Sequence, residues 1–211
     1  MIPSNNDFRV KDDHFCIGVT GHRNIDSSYP GLQSVIIDEL QWLRKKSEKK
    51  PVAIVSALAE GADRLVAQLA MIHLSAVLVA PLPFSRREYI KDFATATSLN
   101  DFDQLLDHAF SWFALATDSE VLSAGSEDRR RFYARAGAFM VESCHALMAI
   151  WDGLPARGFG GTAQVVEWAR EKKVPSELKT RTGLLPGQFN CPTVIHIHPV
   201  TLSVKRYFNN G

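Results

Sequence analysis

Short apolar runs alternate along this chain with segments whose apolar residues recur every three or four positions. Such runs are typical of buried strands, and the recurrence is typical of amphipathic helices. The apolar runs predict strands at Phe15–Val19, Val52–Val55, Ala76–Ala80, Trp112–Leu115, Ala146–Ile150 and Thr193–His198. The recurring segments predict helices over about Gly31–Lys49, Leu65–His73, Ser98–Ala109, Arg130–Cys144 and Ala163–Glu171.

This alternation predicts an α/β fold with a doubly wound, mainly parallel, Rossmann-like sheet. We expect about six or seven strands in the sheet, with helices on both of its faces. Residues 1–13 are polar and are expected to form a flexible N-terminal segment, and residues 14–211 a single domain. A turn is expected over Thr117–Arg129 and a long loop over Ser176–Pro192, where polar residues, glycine or proline cluster.

Composition narrows the functional classes. The 24 basic and 23 acidic side chains nearly cancel, so charge gives no reason to expect nucleic acid or a membrane surface as partner. No apolar run approaches the roughly 20 residues of a membrane-spanning helix, and the polar segment after Met1 has no apolar region of the kind expected in a signal peptide. Cys16, Cys144 and Cys191 have no zinc or disulfide spacing, which indicates reduced thiols and a cytoplasmic protein.

Glycine-containing turns follow three of the predicted strands, at Thr20–Arg23, Ser56–Arg64 and Gly158–Thr162. In a parallel sheet these strand ends meet at one edge, where ligands bind. Glycine lets backbone N–H groups approach an anion, and the helix that follows offers its N-terminus. We therefore expect a nucleotide to contact Thr20, Gly21, His22, Arg23, Ser56, Glu60, Gly61, Arg64, Gly160, Gly161 and Thr162.

Several side chains near these turns have two interpretations. Asp152 is expected either to accept from a ribose hydroxyl or to stabilise the Asp-Gly turn. Arg157 would bind phosphate or lie on the surface, and His22 would pair with phosphate or cap a helix. Glu60 would bind ribose or cap the helix that follows it.

A basic and aromatic cluster, Arg129–Arg131 with Tyr133 and Arg135, begins the helix before the fifth strand. It would either stack a base and steer phosphate or form a solvated face. Tyr133 and Arg135 are the pair expected to reach the ligand. Arg86 and Arg87 have the same two interpretations.

No metal site is predicted. His196 and His198 share one face of the last strand, but no acidic or cysteine residue accompanies them at a metal-ligand spacing. Core or edge histidines are the expectation. No cofactor is predicted, and no residue pattern supports a magnesium ion beside the nucleotide.

Three motifs resemble the signature turns of the SLOG superfamily, a Rossmann-like group that includes the LOG phosphoribohydrolases and the DNA-processing protein A family. The motifs are Gly18–Arg23, Ser56–Asp63 and Gly160–Thr162. The resemblance follows the order of elements over residues 14–199, although the matching motifs amount to about twenty residues. It implies nucleotide binding at the strand ends, as a sensor or ligand-binding domain, and a homodimer.

The chain departs from the LOG pattern at the expected catalytic position. Those enzymes carry a glutamate three residues after the threonine, whereas Val165 stands there and Glu167 lies two positions further on. Two residues rotate a helical side chain by about 200°, so Glu167 does not replace it in the same geometry. Arg135 is the approximate counterpart of the enzymes' arginine. Hydrolysis of an N-glycosidic bond therefore remains the alternative function, with Glu60, Asp152 or Glu167 as candidate acid or base.

Overall fold

The computed structural model describes residues 14–123, 129–156, 158–179 and 193–208. The strands are β1 (Phe15–Gly21), β2 (Val52–Val55), β3 (Val77–Leu82), β4 (Ser111–Ala114), β5 (Ala146–Ile150), β6 (Thr193–Ile197) and β7 (Val204–Phe208). They form one sheet in the order β4-β3-β2-β1-β5-β6-β7. Strands β1 to β6 are parallel and β7 is antiparallel to β6, which confirms the predicted α/β sheet.

Helices connect the strands and flank the sheet. They are α1 (Pro30–Lys46), α2 (Ala62–Leu74), α3 (Arg86–Tyr89), α4 (Ala96–Asp107), α5 (Asp118–Ser123), α6 (Arg129–Ser143) and α7 (Thr162–Glu171), with 3-10 turns at Ile90–Asp92 and Ser176–Leu178. Proline begins α1, where its missing N–H costs nothing. None of the helices in the described ranges is long and apolar enough to cross a membrane.

The alternation of side chains along the central strands divides the core into two layers. Ile17 and Val19 of β1 lie in the layer that holds α1 and α2, whereas Cys16 faces the opposite layer. In β5, Met148 joins the first layer and Leu147 packs with α6 and α7. Because successive strand residues point to opposite faces, an all-apolar strand is buried on both sides. The helices therefore cover the two faces, as predicted.

Four parts of the element prediction need correction or fall outside the described residues. The apolar runs do not indicate β7, and the turn expected over Thr117–Arg129 contains α5 and the first residue of α6. Residues 1–13 lie outside the described residues, as does most of the loop expected over Ser176–Pro192.

Strand β7 is held to α1 by an ion pair that gives the first testable prediction. The Arg206 guanidinium donates two hydrogen bonds, of 2.6 and 2.7 Å, to the Glu39 carboxylate, which is 5% exposed. Replacing Arg206 by alanine leaves a buried charge without its partner. Because the arginine side chain is partly exposed, we expect a loss of about 2 kcal/mol, below the range for fully buried pairs. Urea denaturation measures it.

Lys205→Ala is the matched control, because Lys205 is the exposed neighbour on the same strand. It should change the unfolding free energy by less than about 0.5 kcal/mol. Equal losses in the two variants would contradict a specific contribution from the Arg206–Glu39 pair.

Candidate functional site

The strand order reverses between β1 and β5, and a crevice opens there. The chain leaves β1 towards α1 on one face of the sheet and leaves β5 towards α7 on the other face, so the two connections diverge at these strand ends. In open α/β sheets this switch point is the usual ligand site. The crevice has a volume of about 760 Å³ and is lined by the ends of β1 and β5, by α2, α3, α6 and α7, and by the turn after β6.

The end of β1 forms one wall, with Thr20, Gly21 and His22 on the crevice. A Cβ atom on Gly21 would lie 2.4 Å from the Cβ of Ala62, so glycine is required for α2 to pack this closely. The His22 N–H donates to the carbonyl of Ile150 at 2.9 Å, which joins the two strand ends at the mouth of the crevice. Its Nε2 lies 3.7 Å from Asp152 Oδ1.

Arg23 follows on the same wall and is exposed at the crevice. Its guanidinium lies 5.0 Å from the centre of the Tyr133 ring. Burial opposes the charge, but Tyr133, Tyr89 and Asp92 outweigh it and raise the pKa of Arg23. Within the described residues, no carboxylate comes within ion-pair distance of this cation.

The opposite wall is the glycine turn that opens α7. Gly160 has φ +78°, and a Cβ there would lie 2.6 Å from the backbone of Ala134 on α6. Gly161 is the N-cap and supplies no side chain, and the first turn of α7 holds no acidic residue. In the described part of the chain, the N–H groups of Thr162 and Ala163 have no hydrogen-bond acceptor, and both residues line the crevice. Such a helix N-terminus is suited to an anion.

A second unpaired cation belongs to this wall. Arg130, one of the arginines in the predicted basic cluster, is exposed and lines the crevice. It has no ion-pair partner among the described residues. Its Cδ lies 3.9 Å from the position that a Cβ on Gly158 would occupy, so the side chain lies against the glycine turn. Arg157 lies outside the described residues.

Asp152 lies on the crevice at the end of β5 and serves the turn at the same time. Its Oδ1 accepts a hydrogen bond of 3.0 Å from the Leu154 N–H. The preceding Trp151 packs on His196, with 3.8 Å between ring centres, and His196 Nε2 lies 3.0 Å from the Trp151 carbonyl oxygen. Burial lowers the pKa of His196. The imidazole is therefore a neutral support for this strand end, in agreement with the core interpretation.

Two of the predicted ligand-binding residues, Glu60 and Arg64, do not line the crevice. Glu60 accepts hydrogen bonds from the Ala94 N–H and the Ser98 hydroxyl, which connect it to the start of α4. Burial raises its pKa, but these bonds outweigh the burial and the pKa falls below its ordinary value. Arg64 donates to the carbonyls of Leu58 and Ser98 and stacks on Phe93 at 4.5 Å. The hydrogen bonds of both side chains therefore connect parts of the fold to one another.

Four more predicted residues lie apart from the crevice lining. Ser56 is fully buried, where its hydroxyl donates to the Asp63 carbonyl and accepts from the Leu58 N–H. Gly61 caps α2 against the backbone of Arg23. Arg135 donates to the Leu115 carbonyl and pairs with Glu120 at 3.3 Å.

Glu167 lies outside the crevice lining, on an adjoining open groove of about 840 Å³ between α7 and β7. Asp152 is therefore the one catalytic candidate from the sequence that lines the crevice.

Sequence reasoning missed two buried groups on the crevice floor, Asp63 and Tyr89. Burial raises the pKa of Asp63 to about 7, although the Ala59 N–H, Arg23 and Arg64 act to lower it. Burial also raises the pKa of Tyr89 well above its ordinary value, so the phenol is neutral. Asp63 was available as the last residue of the second glycine motif. No sequence signal marks Tyr89.

The fold and the crevice define an α/β protein of the Rossmann-like class with an open switch-point site. No cluster of metal-binding side chains occurs in the described ranges. No protein-family model matches the chain, and comparison with curated proteins finds no match.

Proposed function

We propose that this protein binds a nucleotide or nucleotide-derived ligand in the crevice, as a sensor or ligand-binding domain. One observation carries the proposal: Arg23, Arg130 and the uncapped N-terminus of α7 converge on one crevice without an anionic partner among the described residues. Unpaired cations and free backbone N–H groups are the groups that bind phosphate oxygens. An anionic ligand would satisfy all three.

The remaining lining suits the uncharged part of such a ligand. Ala57, Ala59, Gly137 and Met140 give the inner crevice small and apolar surfaces, against which a planar base or a sugar ring can pack. A volume of about 760 Å³ lies within the range of small-molecule sites, about 300–1,000 Å³. The resemblance to the SLOG motifs supports the same ligand class, and it also underlies the proposal of a homodimer. The proposal of a cytoplasmic location rests on the cysteine pattern.

A hydrolase acting on the same ligand class is the second candidate. Asp63 favours it, because a carboxyl group with a pKa of about 7 can both hold and release a proton near neutral pH. Asp152 supplies a second carboxylate on the crevice. Release of a free base from the nucleotide, followed by chromatography, distinguishes hydrolysis from binding alone.

The proposal is tested with AMP, ADP, ATP, GTP, ADP-ribose, NAD and a cyclic dinucleotide in a thermal-shift screen. A ligand at about 100 times its dissociation constant adds roughly 2.7 kcal/mol of stability. We expect Arg130→Ala to weaken binding of any hit about tenfold or more, because it removes a charged hydrogen-bond donor. Titration calorimetry measures the loss.

Arg87→Ala is the control, since the Arg87 side chain is 71% exposed and lies outside the crevice lining. It should leave affinity unchanged. No shift with any of these nucleotides would contradict the proposed function. Equal affinities in the two arginine variants would contradict the assignment of the site.

A further inference from the structure

The hydroxyl of Tyr89 is buried without a hydrogen-bond partner. The residue is 0% exposed, and its Oη is one of two buried side-chain polar atoms in the described residues that lack a partner. The other is Nη2 of Arg64, whose guanidinium stacks on the Phe93 ring and already makes three hydrogen bonds through its other nitrogens. Leaving a buried hydroxyl unsatisfied costs about 1–3 kcal/mol, so native proteins rarely do it without a functional reason.

Packing fixes the position of this hydroxyl. The Tyr89 ring contacts Phe93 and Phe102 edge-on, with ring centres 5.1 and 5.8 Å apart, and Phe84 and Tyr133 at 6.2 and 6.1 Å. An aromatic ring held on several sides cannot turn its hydroxyl to solvent. Of the two residues with an unpartnered buried atom, Tyr89 is the one that lines the crevice.

Asp63 is the second incompletely bonded group on this floor. The residue is 5% exposed, and its carboxyl takes a hydrogen bond from the Ala59 backbone and has no cation within ion-pair distance in the described chain. Neighbouring polar groups differ from it. The Tyr133 hydroxyl donates to Asp92, and the Glu60 carboxylate accepts from Ser98. Asp63 and Tyr89 can therefore still form hydrogen bonds, whereas Tyr133 and Glu60 already form them with other residues of the protein.

We propose that Asp63 and Tyr89 form a subsite for the sugar hydroxyl groups of the nucleotide. The inference rests on the proposed function and gives the ligand a direction in the crevice. A carboxyl group accepts hydrogen bonds and a phenol both donates and accepts, which matches the vicinal hydroxyls of a ribose. A phosphate would be repelled by Asp63 whenever this group is ionised. The phosphates therefore lie towards Arg130 and α7, and the ribose towards the floor.

Tyr89→Phe is the decisive variant, because it removes only the unpartnered hydroxyl. Without ligand, the variant should be as stable as the wild type or more stable, since no internal hydrogen bond is lost. Its affinity for AMP, ADP, ATP or GTP should fall about fivefold, the effect of one neutral hydrogen bond. Titration calorimetry on the full chain, with thermal unfolding of the free protein, measures both.

The 2′,3′-dideoxy forms of the same four nucleotides identify which part of the ligand the hydroxyl contacts. Wild type should bind a dideoxy form about tenfold more weakly than its ribose form. In Tyr89→Phe the affinities for the ribose and dideoxy forms should differ less, because removing the Tyr89 hydroxyl and removing the sugar hydroxyls abolish the same interaction. Tyr207→Phe is the control: Tyr207 lies on β7, outside the crevice lining, so the variant should keep both the wild-type affinity and the wild-type preference for ribose.

The binding experiments distinguish failure of the sugar subsite from failure of the proposed function. Equal binding of ribose and dideoxy forms by the wild type would overturn the sugar assignment, and so would an unchanged affinity in Tyr89→Phe. If Arg130→Ala loses affinity while Tyr89→Phe does not, the proposed function stands and the floor subsite is wrong. If the wild type binds none of the nucleotides, the proposed function fails, and the subsite fails with it.

Discussion

Replacing Gly61 by alanine is expected to lower the free energy of unfolding by about 4 kcal/mol or more, the largest stability effect that we predict. Gly61 has φ +78°, which side-chain-bearing residues adopt at a cost of about 1–2 kcal/mol. The new Cβ would also lie 2.2 Å from the Arg23 carbonyl oxygen and 2.6 Å from that of His22. These are backbone atoms of the crevice wall and cannot rotate away, so the variant must displace the turn after β1. Urea denaturation followed by circular dichroism measures the loss.

The variant Gly153→Ala separates the two causes of the expected loss of stability, the positive φ and the close contact of the new Cβ with the β1 turn. Gly153 has the same φ of +78°, but a Cβ there would meet only the His196 Cε1, at an ordinary distance of 3.6 Å. This variant should therefore lose only the conformational term, about 1–2 kcal/mol. Similar losses at the two positions would show that the contact of Gly61 with the β1 turn contributes nothing, and would remove the packing explanation for the second glycine motif.

The sheet could be predicted because its central strands are buried on both faces. Val52–Val55 is apolar at every position and lies entirely inside, so the run itself indicates a strand. Strand β7 lacks this signal. No residue of Val204–Phe208 is fully buried, and the charged Lys205 and Arg206 interrupt the run. Arg206 is nevertheless structural, through an ion pair with Glu39, which lies 167 positions earlier in the chain. The pattern of apolar and polar residues along one segment gives no information about a contact between residues so far apart in the sequence.

The candidate site also has a part that could be predicted from the sequence and a part that could not. The glycine turns at the ends of β1 and β5 could be predicted, because topology alone brings these ends together and local sequence gives the turns. Arg23 and Asp152, which follow β1 and β5 directly, lie on the crevice as expected, but other charged side chains could not be assigned because their partners are distant in sequence. Glu60 bonds to Ser98 on α4, and Arg135 to the carbonyl of Leu115, so neither faces the crevice. Asp63 lies three residues after Glu60, inside the first turn of α2, and reaches the crevice floor instead.

Asp63→Asn should make the protein more stable than the wild type above pH 7, by up to about 4 kcal/mol. Burial raises the pKa of this carboxyl from its ordinary value of 3.8 to about 7 in the folded protein. A raised folded-state pKa means that the folded state binds the proton more tightly than the unfolded state does. The stability that Asp63 contributes is then complete below about pH 4 and is lost as the pH rises to 7, at about 1.4 kcal/mol per unit. Asparagine carries no charge at any pH.

The difference between the two proteins isolates this effect from the histidines. Burial lowers the pKa of His145 and of His196, so both oppose folding as the pH falls below about 6.5, and they do so equally in wild type and variant. We therefore expect the unfolding free energies, measured in urea from pH 4 to 8.5, to be similar at pH 4 and to diverge up to pH 7. A variant less stable than wild type at pH 8 would mean that the folded protein stabilises an ionised Asp63. The floor of the crevice would then be a site for a cationic or strongly donating group rather than for a neutral sugar.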